Sequence, residues 1–214
     1  MKFEIEEIRS ENFAEEWPGQ YDIFSHFEFA CGVPSAMFLI TTLKESGMPN
    51  ACLHAWSTFS GDSGGFFAVM PGLMQCTHTY RNILRDKEFC VNFLSQDYYD
   101  RCAKTIAQNG EETDEFAAGG FTAEPAKTVK APRIREAFLT LECTLESVSD
   151  LSGKGLNSMI IGRVRHAVVD QEHTIDNICS DRGFMFNVHS PKDPTTGKGS
   201  QSAVAQLQVV KRVD

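Results

Sequence analysis

From Gly32 onward, short apolar segments alternate with turn-forming residues, and this alternation limits the fold more than any other feature of the sequence. Four segments of strand length are rich in β-branched and aromatic residues, and turns at 44–50 and 61–65 separate the first three of them. This punctuation predicts antiparallel strands joined as a meander. The predicted strands are residues 34–43, 51–59, 66–70 and 88–94.

A second long hairpin is predicted further along the chain, where residues 138–148 and 158–169 flank Ser152-Gly153-Lys154-Gly155 and show period-two patterning. Two helices are predicted between the strands. Thr77 and Thr79 precede residues 80–86 as N-cap signals, and residues 98–108 form the second helix. Because closure hides the edges of such a set of strands, we predict a mainly β chain with inserted helices, built as a closed or partly closed antiparallel barrel.

The domain organisation follows from length and from the absence of a linker. The chain has 214 residues, shows no internal repeat, and has no Pro-, Gly- or Ser-rich stretch long enough to separate two units. A chain of this size can bury a sufficient core without disulfides or a structural metal. We predict one domain, residues 1–214, with a core at about 32–170 and extensions at both ends.

Charge and cysteine content narrow the partners and the compartment. Lysine and arginine total 20 against 29 aspartate and glutamate residues, so the net charge is -9, and an acidic protein repels nucleic-acid phosphates. No apolar stretch reaches the roughly 20 residues that span a bilayer, and the acidic N-terminal segment lacks a signal peptide's apolar centre. The seven cysteines are scattered without a C-x-x-C pair, which is typical of reduced thiols. We therefore expect a cytoplasmic protein with no nucleic-acid or membrane partner.

One motif resembles a catalytic serine site and a pair of motifs resembles a metal site, but a structural role explains them better. Gly61-Asp62-Ser63-Gly64-Gly65 matches the serine-nucleophile pattern, but a strand rather than a helix follows it, so we interpret it as a hairpin turn. Cys52-Leu53-His54 and Cys76-Thr77-His78 each offer two soft metal ligands. Their spacing is not that of a structural zinc site, so we predict no metal, with a metal-binding barrel as an alternative.

Sequence motifs that bind dinucleotides or nucleoside triphosphates are absent, and the polar Gly197-Lys198-Gly199-Ser200 lacks the upstream glycine of a P-loop.

Two less specific sequence features remain. A strand ends in Trp56-Ser57-Thr58, and a helix begins at Thr77-His78-Thr79, where free N–H groups favour an anion. The hydroxyl of Thr79 is expected to bind a phosphate oxygen or to cap the helix. By themselves these features suggest only a phosphate-bearing ligand, and the simpler interpretation is an ordinary capped helix beside an ordinary strand.

Motifs over about residues 32–170 together resemble the flavin reductase-like, FMN-binding split β-barrel family, most closely its flavoredoxin-like branch. Their order and spacing carry the resemblance rather than any one of them. The matching segments are PSAMFLITT (34–42), GMPNA (47–51), AWST (55–58), CTHTYRNI (76–83), EFCVN (88–92), GFT (120–122), VKAPRI (129–134), LEC (141–143) and IGRV (161–164).

This resemblance implies a homodimer of split barrels with FMN held non-covalently near the interface. Within the family the ring and ribityl chain lie along the strand after the Gly-x-Pro-Asn turn, and the phosphate lies at the short helix start. The family often has threonine and serine where this chain has Leu53 and Ala55, and a basic residue at His78. The implied cofactor-binding residues are Leu53, His54, Ala55, Trp56, Ser57 and Thr58 for the ring, and Cys76, Thr77, His78, Thr79 and Asn82 for the phosphate.

The resemblance also implies an FMN-dependent oxidoreductase. Electrons from NADH, NADPH or another donor would pass through the flavin to a flavin or protein acceptor, and no catalytic side chain is required because the cofactor carries the chemistry. Two alternatives stay open: a flavoredoxin-like electron carrier that does not oxidise nicotinamide, and a non-enzymatic ligand- or metal-binding barrel.

Overall fold

The structure, a computed structural model, describes residues 2–173, 182–189, 193, 196, 202–207 and 210. Cys179, Lys192 and the glycine-rich segment 197–200 lie outside the described residues. The described helices are α1 Gln20–Ile23, α2 His26–Cys31, α3 His78–Asp86, α4 Tyr99–Ala107 and α5 Glu115–Gly119, with short 3-10 turns at Gln96–Tyr98 and Gln171–His173. None of the described helices is long and apolar enough to cross a membrane.

The described strands form three antiparallel sheets. They are β1 Ser35–Ala36, β2 Phe38–Leu43, β3 Pro49–His54, β4 Thr58–Asp62, β5 Gly65–Met74, β6 Glu88–Phe93, β7 Ala123–Glu124, β8 Arg133–Ile134, β9 Leu139–Asp150, β10 Asn157–Val169, β11 Met185–His189 and β12 Ser202–Gln206. The main sheet has the order β3-β2-β6-β9-β10-β5-β4, a second sheet has the order β1-β11-β12, and β7 pairs with β8.

The main sheet curls until its two ends face each other. The ring centroid of Phe38 on β2 lies 5.6 Å from that of Phe59 on β4, and Phe59 lies 5.2 Å from Phe93 on β6. The outer strands β3 and β4 do not pair with each other by backbone hydrogen bonds in the sheet. Side chains therefore close the barrel where the ladder is interrupted. The expected mainly β, antiparallel split β-barrel is confirmed.

The barrel interior contains the main apolar core, to which α3 contributes the fully buried Ile83. A second apolar cluster lies on the other face of β3, where Cys102 of α4 and Phe116 of α5 pack against Leu39 and Ala51. Glycine is needed at Gly162, since a Cβ there would lie 2.3 Å from the Phe89 ring. The missing side chain leaves room on β10 for the Phe89 ring, which reaches it from β6 across the intervening strand β9.

Two predicted strands are interrupted, so their predicted continuity was wrong. The segment 51–59 divides into β3 and β4, because Trp56 adopts a left-handed conformation with φ 54° and turns the chain out of the ladder. The segment 34–43 divides at Met37: β1 pairs with β11, whereas β2 pairs with β3 and β6. A regular apolar pattern does not show where a strand leaves one sheet for another.

The two predicted hairpins are confirmed. Asp62 pairs with Gly65 across the turn that holds Ser63, and Asn157 follows the turn that leads out of Asp150. Helix α3 begins two residues earlier than predicted, and α5 and β7 lie in the region 109–132, where no element was predicted. The N-terminal helices α1 and α2 were not predicted from the acidic opening segment.

Candidate functional site

A cleft of about 490 Å³ opens beside the left-handed turn that ends β3. Trp56, Ser57 and Thr58 form one side of it, and Val69 and Pro71 of β5 lie next to them. The opposite side is built by α2 and the segment before β1, and His189 of β11 completes the lining. Its volume lies within the roughly 300–1,000 Å³ usual for small-molecule clefts. Three of the predicted ring-binding residues therefore share one cavity.

Trp56 is held in its strained backbone conformation by aromatic neighbours. Its ring stacks on His189 at 5.8 Å between centroids with an interplanar angle of 17°, and Phe24 lies 5.4 Å away. Both nitrogens of His189 have partners, Asn187 at 3.1 Å and Ser202 at 2.8 Å. A non-glycine residue in this region is unfavourable, and such strain is often retained at binding sites.

His54 lies beneath this turn in the barrel interior, between Phe38 and Trp56. Burial lowers the pKa of its imidazole to about 4, and a hydrogen bond with the backbone of Pro71 opposes the shift only in part. The Nε2 atom is buried without a hydrogen-bond partner among the described residues. His54 is thus a neutral imidazole that joins β3 to β5 across the split of the barrel.

Leu53 and Ala55 do not line the cleft. Both pack in the apolar cluster with α4 and α5, and the backbone N–H of Leu53 donates to Thr105 Oγ1 at 3.1 Å. Their side chains therefore support β3 from the face that the helices cover.

The start of α3 differs in detail from the prediction. Thr77, not Thr79, is the N-cap: its Oγ1 accepts from the N–H of Tyr80 at 3.3 Å and donates to the carbonyl of Met74 at 2.8 Å. Thr79 is buried, and its Oγ1 accepts from Asn50 Nδ2 at 3.1 Å. The expectation that Thr79 caps the helix is therefore wrong, because the turn of the helix points its side chain into the protein. Its contact with a ligand phosphate stays a prediction.

Asn82 belongs to the same buried polar group as Thr79. Its Nδ2 donates to Thr42 Oγ1 at 3.0 Å, and Thr42 Oγ1 also accepts from Asn50 at 3.1 Å. This network fixes α3 on β2 and β3. Cys76, by contrast, is exposed immediately before the helix.

A second cavity of about 230 Å³ lies on the outer side of α3. His78, Arg81 and Arg85 follow at helical spacing and turn one basic face toward it. Glu111, from the segment before α5, forms ion pairs with two of these side chains. Its Oε2 lies 2.8 Å from His78 Nε2 and 3.1 Å from Arg81 Nη2. Lys44, Glu45 and Asn82 complete the lining.

Lys44 connects this cavity to α5 through a buried ion pair. Its Nζ lies 2.9 Å from Glu115 Oε1, and the two side chains are 5% and 1% exposed. The same ammonium donates to the backbone carbonyls of Gly110, Glu111 and Thr113. Burial raises the pKa of Glu115, and the hydrogen bond from Lys44 opposes that shift. Lys44 thereby positions the segment that carries Glu111.

Sequence reasoning missed Lys44, Arg81, Arg85, Glu111 and His189. The spacing of His78, Arg81 and Arg85 on one helix was a usable signal, because residues three and four apart share a face. Glu111 and His189 carried no local signal, since only the folded chain brings them to the site.

The two cavities suit different chemical groups. The imidazole and guanidinium on α3 already hold a carboxylate, so their chemistry fits a phosphate group, and the apolar cleft beside Trp56 fits a flat ring. Within the described part of the chain, no group of three or more His, Cys, Asp or Glu side chains is arranged to hold a metal ion.

The sheet order and the closure by side chains define the class as an antiparallel split β-barrel with a cleft at the split. The flavin reductase like domain model matches residues 30–185, and the chain belongs to that family. The match ends at Met185, the first residue of β11.

Similar proteins agree with this assignment. A split-barrel protein from Shewanella frigidimarina NCIMB 400 superposes with a TM-score of 0.73 at 18% identity, covering 89% of this chain and 90% of the other. Flavoredoxin of Desulfovibrio vulgaris (Miyazaki F) gives a TM-score of 0.65 at 20% identity, covering 92% and 97%. An uncharacterised protein of Aquifex aeolicus is 42% identical over 116 residues, which span 53% of this chain and 59% of that relative.

Proposed function

We propose that the chain is an FMN-dependent oxidoreductase of the cytoplasm that passes electrons from NADH, NADPH or another donor to a flavin or protein acceptor. The observation that carries the proposal is the basic face of α3, where His78 and Arg81 share one carboxylate oxygen of Glu111. These two side chains thus already bind an anionic group, the Glu111 carboxylate. They lie at the start of α3, where the family resemblance places the phosphate.

The roles of the side chains follow from their positions. Trp56, Ser57 and Thr58 would border the ring, and His78 and Arg81 would hold the phosphate by charge-assisted hydrogen bonds. Apolar residues of α2 and β5 line the cleft. His54 supports the turn from beneath as a neutral group. The bound flavin would supply the electron-accepting chemistry, and the protein would orient it.

The cofactor released from purified protein on heating is expected to be FMN. The basic face of α3 offers donors for one terminal phosphate, and hydrogen bonds to a charged group contribute about 1.5–3 kcal/mol, so FMN should bind about 10- to 100-fold more tightly than riboflavin. Chromatography identifies the released flavin, and titration of the apoprotein gives both dissociation constants. Predominant FAD, or no flavin after incubation with excess FMN, would contradict the assignment.

A flavoredoxin-like electron carrier is the second candidate, and the cleft lining favours it. Among the described residues that line the cleft, none is a lysine or arginine, and Glu28 adds a carboxylate. A nicotinamide dinucleotide carries an anionic pyrophosphate for which this lining offers no cation. Anaerobic mixing with NADH and with NADPH separates the candidates: rapid bleaching of the flavin supports the reductase, and no bleaching supports the carrier.

A colourless protein with a stoichiometric metal would instead support a non-enzymatic metal-binding barrel.

We further propose a homodimer. Strand β4 is a mostly exposed edge of the main sheet, and Phe66 at the start of β5 is 44% exposed. An exposed strand edge offers unpaired backbone groups with which a second chain can pair, and most soluble oligomers are symmetric homo-oligomers. Light scattering of the purified protein should give about twice the 23.8 kDa of one chain. A monomer that still holds flavin would show that the site is complete within one chain.

A further inference from the structure

Glu111 lies where an anionic ligand group would be held. One oxygen of its carboxylate contacts both His78 Nε2, at 2.8 Å, and Arg81 Nη2, at 3.1 Å. These two donors come from adjacent turns of α3 and point into the same cavity. A shared oxygen between an imidazole and a guanidinium is also a common arrangement for one oxygen of a phosphate.

The position of Glu111 is set by the fold rather than by its own side chain. Lys44 Nζ donates to the carbonyl of Glu111 at 3.1 Å and to that of Gly110 at 3.2 Å, and it is itself buried against Glu115. The backbone at Glu111 is therefore tied to the barrel while its side chain remains 70% exposed. The carboxylate can leave the basic face without any change in the packing of α5.

Cations and carboxylates both surround the cavity, and most of them are already paired. Lys44 is paired with the buried Glu115 and Arg85 with Asp86, which leaves His78 and Arg81 as the donors that Glu111 occupies, with Glu45 as a further carboxylate. The charge of His78, followed by that of Arg81, holds the pKa of Glu111 below its usual value. Removing the Glu111 charge leaves His78 and Arg81 without the carboxylate that they share.

We infer that the Glu111 carboxylate competes with the ligand phosphate for His78 and Arg81, and so sets how strongly the site prefers FMN over riboflavin. This inference rests on the proposed function. Glu111 must swing away before the phosphate can take both donors. A phosphate carries about two negative charges and the carboxylate carries one, so the phosphate displaces Glu111. Breaking the contacts of Glu111 with His78 and Arg81 lowers the net affinity of the site for FMN.

The test compares Glu111→Gln with Glu45→Gln, using FMN and riboflavin as probes for each apoprotein. Glu45 is the matched control, because it lines the same cavity and carries the same charge but has no contact with His78 or Arg81 among the described interactions. Glu111→Gln should bind FMN about three- to tenfold more tightly than the unaltered protein, with riboflavin unchanged within about twofold. Glu45→Gln should change FMN affinity by less than about twofold.

The outcomes separate the inference from the function on which it rests. Unchanged or weaker FMN binding by Glu111→Gln would overturn the inference and leave the FMN assignment in place. An equal gain with FMN and riboflavin would overturn it too, since a phosphate competitor cannot act on a ligand without phosphate. An equal FMN gain in Glu45→Gln would replace competition with a general charge effect. If no protein binds either flavin, the proposed function and the inference fail together.

Discussion

Replacing Lys44 with methionine is expected to lower the free energy of unfolding by about 3–5 kcal/mol, because Glu115 would remain buried without its cation. Three backbone carbonyls of the segment before α5 would also lose their donor. Urea denaturation at pH 7 measures the change.

Lys104→Met is the matched control for Lys44→Met. Lys104 lies exposed on α4, so the same loss of charge should change the free energy of unfolding by no more than about 0.5 kcal/mol. A double variant, Lys44→Met with Glu115→Gln, should recover part of the loss, because the uncompensated charge is gone although the carbonyls are still unpaired. Stability of Lys44→Met equal to that of the control would mean that the buried pair contributes nothing.

Acidification from pH 6.5 to pH 4 is expected to destabilise the protein by roughly 3 kcal/mol through His54 alone. Burial lowers the pKa of His54 from 6.5 to about 4, so the native state keeps this imidazole neutral across that interval. The unfolded chain binds a proton there that the native state does not hold. The stability that His54 contributes is therefore fully present above pH 6.5 and is lost as the pH falls toward 4.

His54→Phe tests this pH dependence, since a phenyl ring can pack between Phe38 and Trp56 but cannot titrate. Denaturation at a series of pH values should show a much shallower loss of stability for the variant. Burial also lowers the pKa of His189, so some dependence should persist. His166→Gln, a change at a partly exposed histidine of β10, should keep the steep profile of the unaltered protein. Equal profiles for His54→Phe and the unaltered protein would assign the acid sensitivity to other groups.

The sequence by itself determined the features that depend on neighbouring residues. The two hairpins and the start of α3 within two residues followed from turn chemistry, period-two patterning and an N-cap threonine, because all of these act over a few positions. The order of short motifs was enough to indicate the family, and the class of fold followed from the need to close an antiparallel set of strands.

Only the tertiary structure decided which side chains meet. A repeated apolar pattern could not show that Trp56 turns the chain out of the ladder, since aromatic contacts from Phe24 and His189 hold it there. Either threonine at the start of α3 could have served as its cap, and packing against Asn50 turned Thr79 inward. Glu111 meets His78 across a separation of 33 residues because the buried pair of Lys44 and Glu115 ties that segment to the barrel. Such contacts depend on where distant segments are brought together, and no local pattern encodes that.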